Sequence, residues 1–142
     1  MIQIRTALGS DAPDLQKLND LFNGANSNAL SAIQESLQTN TSEIVCVAAD
    51  GNRLVGFCCG QVYKSMCYPF LCAEITELFV LDGHRRQGIG KRLLARMESE
   101  LTVRGARHLH ILTNGRNIAA KTLYRSFGYA ETAEVLLDKN TG

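Results

Sequence analysis

Residues 74–90 read EITELFVLDGHRRQGIG, and the rest of the chain is best interpreted outward from this stretch. Its first seven residues are mostly apolar and rich in β-formers, which is typical of a strand. Beyond residue 88, apolar side chains recur at three- and four-residue intervals as far as Leu101, as they do along one face of a helix. The stretch therefore predicts a strand, a loop and a helix, with Gly88 and Gly90 where the helix begins.

The two glycines at the helix start indicate a loop that binds an anion. Glycine lets the backbone come close to a ligand, and the first amides of a helix have no intrahelical acceptor, which suits phosphate. Two known phosphate loops do not fit. A Walker-type loop needs a lysine where Ile89 stands, and a dinucleotide fingerprint that begins at Gly88 needs a glycine where Leu93 stands.

Length and composition predict one globular domain that spans residues 1–142. A chain of 142 residues with 45% apolar residues can bury one full core and is short for two. No apolar run approaches the roughly 18 residues of a membrane span. The first residues lack the basic start and the apolar core of a secretory signal. We expect a cytoplasmic protein without a membrane partner.

The distribution of charge and the spacing of the cysteines indicate which ligands and partners to expect. Residues 1–50 have a net charge of −4 and residues 82–107 a net charge of +4. Solvated helix faces explain most of these charges, but the polarity would also suit an anionic cofactor and a cationic substrate. The five cysteines contain no CxxC pair, so we expect reduced thiols and no metal site. With an aromatic content of only 6%, a nucleic-acid partner is not expected.

The hydrophobic patterns predict elements in the order β-α-α-β-β-β-α-β-α-β. An Asp50-Gly51-Asn52 turn joins two of the strands as a hairpin. The last three elements are a strand at about 108–113, a helix at 117–127 and a final strand at 130–137. Strand-helix-strand units in the second half require parallel pairing. The fold class is thus α/β (α+β), with a mixed central sheet of six to seven strands flanked by about four helices.

The order of elements and two motifs resemble the GNAT superfamily of N-acetyltransferases. The first motif is Arg85-x-x-Gly88-x-Gly90 after a strand, which resembles the acyl-CoA signature of that family. The second resembles the strand and helix that follow the CoA loop in the family, and it reads Ile111-Leu112-Thr113, Asn117-x-x-Ala120-x-x-Leu123-Tyr124 and Phe127-Gly128-Tyr129. The likeness covers nearly the whole chain.

The resemblance implies acetyl-CoA as co-substrate, with no metal. Backbone amides of residues 87–91 would hold the pyrophosphate, with two arginines beside it, and the end of the central strand would pair with the pantetheine arm. Asn117 would hydrogen-bond that arm, and it is also a suitable helix N-cap. The expected cofactor-binding residues are Leu78, Phe79, Val80, Arg85, Arg86, Gln87, Gly88, Ile89, Gly90, Lys91, Asn117, Ala120 and Tyr124.

Three residues are candidates for catalysis. Glu74 and Glu77 are acids inside a core strand, which is unusual, and an amine of pKa about 10.4 needs a base before it can attack. They would lie on opposite faces of a regular strand, so only one would face the acceptor unless a bulge intervenes, and Glu77 is favoured. Alternatively, either acid faces solvent. The resemblance implies that Tyr124 donates a proton to the departing CoA sulfur, and the alternative is a core tyrosine.

The resulting hypothesis is an N-acetyltransferase that moves the acetyl group of acetyl-CoA to a primary amine. The acceptor would be a small cationic molecule (a polyamine, an aminoglycoside or an amino-acid-like compound) or a protein. The alternative is an acyl-CoA-binding regulatory domain with weak catalysis. The sequence is compatible with a homodimer.

Overall fold

Five strands form one mixed sheet in the order β1-β2-β3-β4-β5. The computed structural model describes residues 1–142, which divide into two units, Met1–Leu112 and Thr113–Gly142. The sheet belongs to the first unit. Neighbouring strands are antiparallel except for β4 and β5, which are parallel as predicted. The strands are β1 (Ile2–Thr6), β2 (Glu43–Asp50), β3 (Arg53–Lys64), β4 (Leu71–Val80) and β5 (Ala106–Ile111).

The chain forms four helices, in agreement with the prediction of about four. They are α1 (Ala12–Asn23), α2 (Leu30–Thr39), α3 (Ile89–Val103) and α4 (Ile118–Ser126). Short 3-10 turns at Gly9–Asp11 and Asp82–His84 precede α1 and α3. None of the four helices has the length and apolar character that crossing a bilayer requires.

The prediction of six to seven strands is wrong, because the sheet has five. The segment predicted as a final strand, residues 130–137, forms neither a strand nor a helix. Val135, Leu136 and Leu137 are 78%, 68% and 90% exposed. A segment with the composition of a strand does not form one by itself, since the backbone of a strand needs a neighbouring strand for its hydrogen bonds.

Strand β3 shows how the two faces of the sheet differ. Phe57 packs in a cluster with Leu15 and Leu18 of α1, on the face that α1 and α2 cover. On the opposite face, a Cβ atom added at Gly60 would lie 2.8 Å from Sδ of Met97 in α3. The missing side chain therefore lets α3 lie close against the sheet. The apolar stripe of α3 is 0–2% exposed and consists of Ile89, Leu93, Leu94, Met97 and Leu101.

Candidate active site

Strand β4 contains a bulge at the position where a catalytic carboxylate was predicted. Cys59 of β3 lies opposite Glu77, but the next residue of β3 lies opposite Ile75, so Thr76 has no partner of its own. Such an extra residue rotates the strand and changes which face the following side chains occupy. Glu74 lies opposite Gln61. Because residues 59 and 61 share a face of β3, both acids project from the face of α1 and α2.

The bulge also marks the end of pairing between β4 and β5. The parallel register runs from Leu71 opposite Ala106 to Ile75 opposite Ile111. Beyond Ile75, β4 has no pairing with β5, and residues 77–80 pair only with β3. The main chain of the predicted pantetheine-binding residues Leu78, Phe79 and Val80 thus has no strand neighbour on its β5 side. An extended ligand could take the position of a strand there.

The N-terminus of α3 presents backbone amides in an exposed loop. Gly88 is the N-cap and has a left-handed backbone, with φ of +77°. The first intrahelical hydrogen bond runs from the Arg92 amide to the Gly88 carbonyl at 3.1 Å. The amides of Ile89, Gly90 and Lys91 come before that bond and have no acceptor within the helix. Residues 85–88 are exposed. Amides with no intrahelical acceptor at the positive end of a helix dipole suit a phosphate group.

The two arginines of this loop differ in their contacts. Arg85 donates from Nε to the Val80 carbonyl at 3.1 Å and forms an ion pair with Asp82 at 2.8 Å. Arg86 is exposed and makes neither an ion pair nor a side-chain hydrogen bond, and its backbone is left-handed with φ of +65°. Arg85 therefore secures the loop to the end of β4, whereas Arg86 is available to an anion. Gln87 and Lys91 are also exposed.

A cavity of about 270 Å³ lies between the sheet and the helices α1 and α2. Glu77 lines it, together with Glu43 from the start of β2 and Cys59 from β3. Thr76 donates a hydrogen bond from Oγ1 to Oε2 of Glu77. The remaining lining residues are uncharged, and they are Leu15, Asn19, Asn28, Ile33, Ser36, Leu37, Val45 and Phe57.

The ionisable groups of the cavity lie close together. One oxygen of Glu43, one of Glu77 and the Cys59 sulfur are within 4.8 Å of one another. Burial, and secondarily the charge of Glu77, raise the pKa of Glu43. Burial, followed by the charges of both carboxylates, raises the pKa of Cys59 well above its usual value, which keeps the thiol protonated. Acids converge in this way in many proteins without an ion, so the cluster does not identify a metal site.

The second unit carries the remaining predicted residues on α4 and just before it. Asn117 caps α4 by accepting a hydrogen bond from the Ala120 amide at 3.0 Å, which is the cap role considered from the sequence. The ring of Tyr124 packs edge-on against Tyr129, with centroids 6.3 Å apart. Asn117, Ala120 and Tyr124 follow the i, i+3, i+7 spacing that defines one helix face.

Comparison with known proteins identifies the family. A profile of the acetyltransferase (GNAT) domain matches residues 41–131, which is more than half of the chain. The protein belongs to the GNAT acetyltransferase family. It is therefore an acyltransferase, and the family resemblance seen in its sequence is confirmed.

Named relatives of this GNAT protein are also N-acetyltransferases. An uncharacterized N-acetyltransferase, YhfO of Bacillus subtilis, is 26% identical over 92% of this chain and 91% of its own. Aminoglycoside N(6')-acetyltransferase type 1 of Salmonella typhimurium is 26% identical over 72% of each chain. The structure of AAC(6')-Iy in complex with the bisubstrate analog CoA-S-monomethyl-acetylneamine has a TM-score of 0.84 at 20% identity, and the likeness covers 100% of this chain and 99% of that one. That likeness shows the fold.

The two acids predicted in β4 of the GNAT protein have different surroundings. Glu77 lines the cavity, whereas Glu74 does not. An oxygen of Glu74 lies 3.9 Å from Nε2 of His110 in β5, and the His110 ring packs edge-on against Tyr63, with centroids 6.1 Å apart. Of the two predicted acids, the structure thus places only Glu77 at the cavity.

Sequence reasoning missed Glu43 and Cys59 as members of the site. A signal was present for Glu43, because Val45 and Val47 follow it at two-residue intervals and pack in the core on the face of α1 and α2. That alternation places the Glu43 side chain on the same face. No comparable signal in the sequence distinguished Cys59 from the other cysteines that lie in apolar strands.

Proposed function

We propose that this GNAT protein transfers the acetyl group of acetyl-CoA to a primary amine on a small cationic molecule. The observation that carries the proposal is the position of Glu77. This residue lines the acidic cavity and also belongs to residues 76–80, whose β5 side is unpaired. An acceptor in the cavity and a thioester lying along β4 would therefore meet at Glu77.

Acetyl-CoA fits the phosphate-binding character of the α3 N-terminus. Amides of residues 87–91 would bind the pyrophosphate, and the exposed Arg86 would add an unpaired positive charge. The pantetheine arm would run beside Leu78, Phe79 and Val80. The family resemblance also assigns cofactor contacts to Asn117 and Ala120, on the face of α4 that carries Tyr124. In the solved relative, the bound molecule is a bisubstrate analog that contains CoA.

An amino sugar of the aminoglycoside type is the acceptor that we favour. The cavity holds two carboxylates and no basic side chain, which favours a cation. Its volume of about 270 Å³ lies near the lower end of the roughly 300–1,000 Å³ common for ligand sites, so it would hold one ring or a short chain. The Salmonella typhimurium relative is an aminoglycoside acetyltransferase. Polyamines, amino acids and protein amines have no comparable support.

The reaction would be a direct transfer within one ternary complex. Glu77 takes a proton from the acceptor ammonium, and the neutral nitrogen forms a bond to the acetyl carbon as the carbon–sulfur bond breaks. The nitrogen then loses its second proton to water to give the amide. Tyr124 hydrogen-bonds or protonates the departing CoA sulfur. That residues 1–142 act as a single catalytic domain, and that two copies form a homodimer, stay predictions.

The test is acetyl-CoA-dependent release of free thiol with a panel of amines. The panel contains aminoglycosides, polyamines, amino acids and lysine peptides, and mass spectrometry identifies the acetylated product. We expect aminoglycosides to give the highest kcat/KM, with no thiol release when the amine is omitted. Tight binding of acetyl-CoA without turnover on any amine would contradict the proposal and favour the regulatory alternative.

A further inference from the structure

The cavity contains a second carboxylate whose role the proposed reaction leaves open. Glu43 is the first residue of β2 and belongs to a different strand from Glu77, with β3 between them. Oxygens of the two carboxylates nevertheless lie within 4.8 Å of each other. The Glu43 carboxylate makes no ion pair and accepts no hydrogen bond from the protein. Its nearest charged neighbour in the cavity is thus the like charge of Glu77.

No other group in the cavity can balance these two charges. The groups that face the carboxylates from the other elements are Cys59 of β3, Asn19 of α1, Asn28 of the connection between the helices and Ser36 of α2. None is basic, and the thiol stays neutral because burial raises its pKa. Two neighbouring carboxylates in a partly buried site cannot both ionise without cost, so such a pair tends to hold one proton between its members.

We propose that Glu43 and Glu77 act as one carboxylate pair that receives the proton of the acceptor ammonium, with Glu43 as a positioning residue beside Glu77. The inference rests on the proposed function. When the acceptor binds, its ammonium group offsets one negative charge, and the pair releases its shared proton to water. One proton then passes from nitrogen to the pair, and the C–N bond forms as the C–S bond breaks. The nitrogen loses its second proton to water, the CoA thiolate leaves and takes a proton by way of Tyr124, and the pair later returns its own proton to water.

A pair of carboxylates can accept the proton of an ammonium group more readily than a single carboxylate can. An isolated glutamate has a pKa of about 4.3 and an alkylammonium about 10.4, so proton transfer between them is strongly uphill. A like-charged neighbour and partial burial raise the proton affinity of the carboxylate and reduce that difference. The raised pKa of Glu43 is consistent with this arrangement. Thr76 holds the Glu77 carboxylate in place through its hydrogen bond.

The kinetic test compares Glu43→Gln with wild-type enzyme on the best amine of the panel. Glutamine keeps the size of the side chain but removes the second carboxylate of the pair. We expect the acidic limb of the kcat/KM profile to move to lower pH by about one unit, and kcat near pH 8 to fall about 3- to 30-fold. The matched control Glu134→Gln changes an exposed acid far along the sequence and leaves both unchanged. An acidic limb at the wild-type position in Glu43→Gln would overturn the proposal.

A second measurement needs no turnover. Carbon-13 NMR of protein labelled at the glutamate carboxyl carbons follows each titration in wild type, Glu43→Gln and Glu77→Gln. The pair predicts that each substitution lowers the titration midpoint of the remaining partner. For Glu43 the fall is partial, because burial, the larger cause of its raised pKa, remains in Glu77→Gln. Independent wild-type midpoints that neither substitution moves would overturn the pair. Failure to acetylate any amine would instead reject the proposed function, because the NMR result does not depend on it.

Discussion

Glu74 and Glu77 project from the same face of β4 although an odd number of residues separates them. Their partners in β3, Gln61 and Cys59, are two residues apart, and the unmatched Thr76 supplies the difference. The bulge therefore changes the geometry of the candidate site in two respects. It turns Glu77 toward the α1 and α2 side, and it coincides with the point at which β4 loses β5 as a neighbour.

The different surroundings of these two acids predict different kinetic effects. Glu77→Gln should lower kcat by roughly 10²- to 10³-fold, because the acceptor ammonium loses its proton acceptor. Glu74→Gln should change kcat less than about threefold, since Glu74 lies beside His110 and outside the cavity. Steady-state kinetics at saturating acetyl-CoA measure both values. A larger loss from Glu74→Gln than from Glu77→Gln would exchange the roles that we propose for them.

The left-handed backbone of Gly88 predicts that CoA binding depends on this glycine. A Cβ atom at residue 88 would meet no atom within 4 Å, so there is room for a larger side chain. The backbone φ of +77° is nevertheless unfavourable for any residue other than glycine. Left-handed backbone costs an L-residue about 1–2 kcal/mol, and a β-branched one more. Gly88→Val should therefore weaken CoA binding about tenfold or more in calorimetry, without loss of the folded circular dichroism spectrum.

Gly83 provides the matched control for that substitution. It lies in the same exposed loop, a Cβ atom there also meets nothing within 4 Å, and its φ is not in the left-handed range. Gly83→Val should leave the CoA affinity within about twofold of wild type. Equal losses at both glycines would point to bulk in the loop and not to the backbone of Gly88.

The fold was largely predictable because its signals are local. The five observed strands and four helices each have their own periodicity, and Gly51 and Gly105 stand at the turn and the helix end with φ of +62° and +101°. The final strand was not predictable from composition, since residues 130–137 have the apolar content of a strand but no pairing partner. The strand predicted at 108–113 begins earlier, at Ala106, because pairing with β4 sets its limits.

The candidate site was predictable only in part, because it depends on register. Glu77 could be proposed from an acid inside an apolar strand, and the α3 loop from its glycines. Glu77 was favoured over Glu74 from the sequence, but the face that each acid occupies depends on the bulge at Thr76, which broken alternation in the sequence only suggests. Glu43 joins Glu77 across β3, and such contacts between distant strands are set by pairing that a local pattern does not specify.

The ion pair between Arg5 and Asp11 should contribute to stability and to its dependence on pH. Arg5 donates two hydrogen bonds to the carboxylate, at 2.7 and 2.9 Å, and the Leu8 amide donates a third at 2.7 Å. Asp11 is 8% exposed. Asp11→Asn should lower the free energy of unfolding by about 2–3 kcal/mol at pH 7, since hydrogen bonds to a charged group are each worth about 1.5–3 kcal/mol and asparagine keeps some of them. Urea denaturation measures the difference.

The pH dependence of that difference has a definite sign. The bonds from Arg5 lower the pKa of Asp11 in the folded state, so its contribution is complete above the unfolded value of about 3.9 and is lost as the pH falls through the folded value. Wild type and Asp11→Asn should therefore converge below about pH 4. Asp82 pairs with Arg85 at the surface, where it is 89% exposed, so Asp82→Asn should cost less than about 1 kcal/mol. A gap that does not shrink between pH 5 and pH 3 would contradict the assignment.

The hydroxyl of Tyr124 should matter for turnover and not for cofactor binding. If it assists the departing thiolate, Tyr124→Phe should lower kcat by roughly 10- to 10³-fold while calorimetry finds the CoA affinity within about threefold of wild type. Tyr129 is the matched control, because its ring packs against that of Tyr124 and Tyr129→Phe removes the same group from the same aromatic pair. Phenylalanine preserves the edge-on packing in both variants. Equal kcat values for the two variants would mean that the Tyr124 ring contributes packing alone and that the leaving sulfur takes its proton from water.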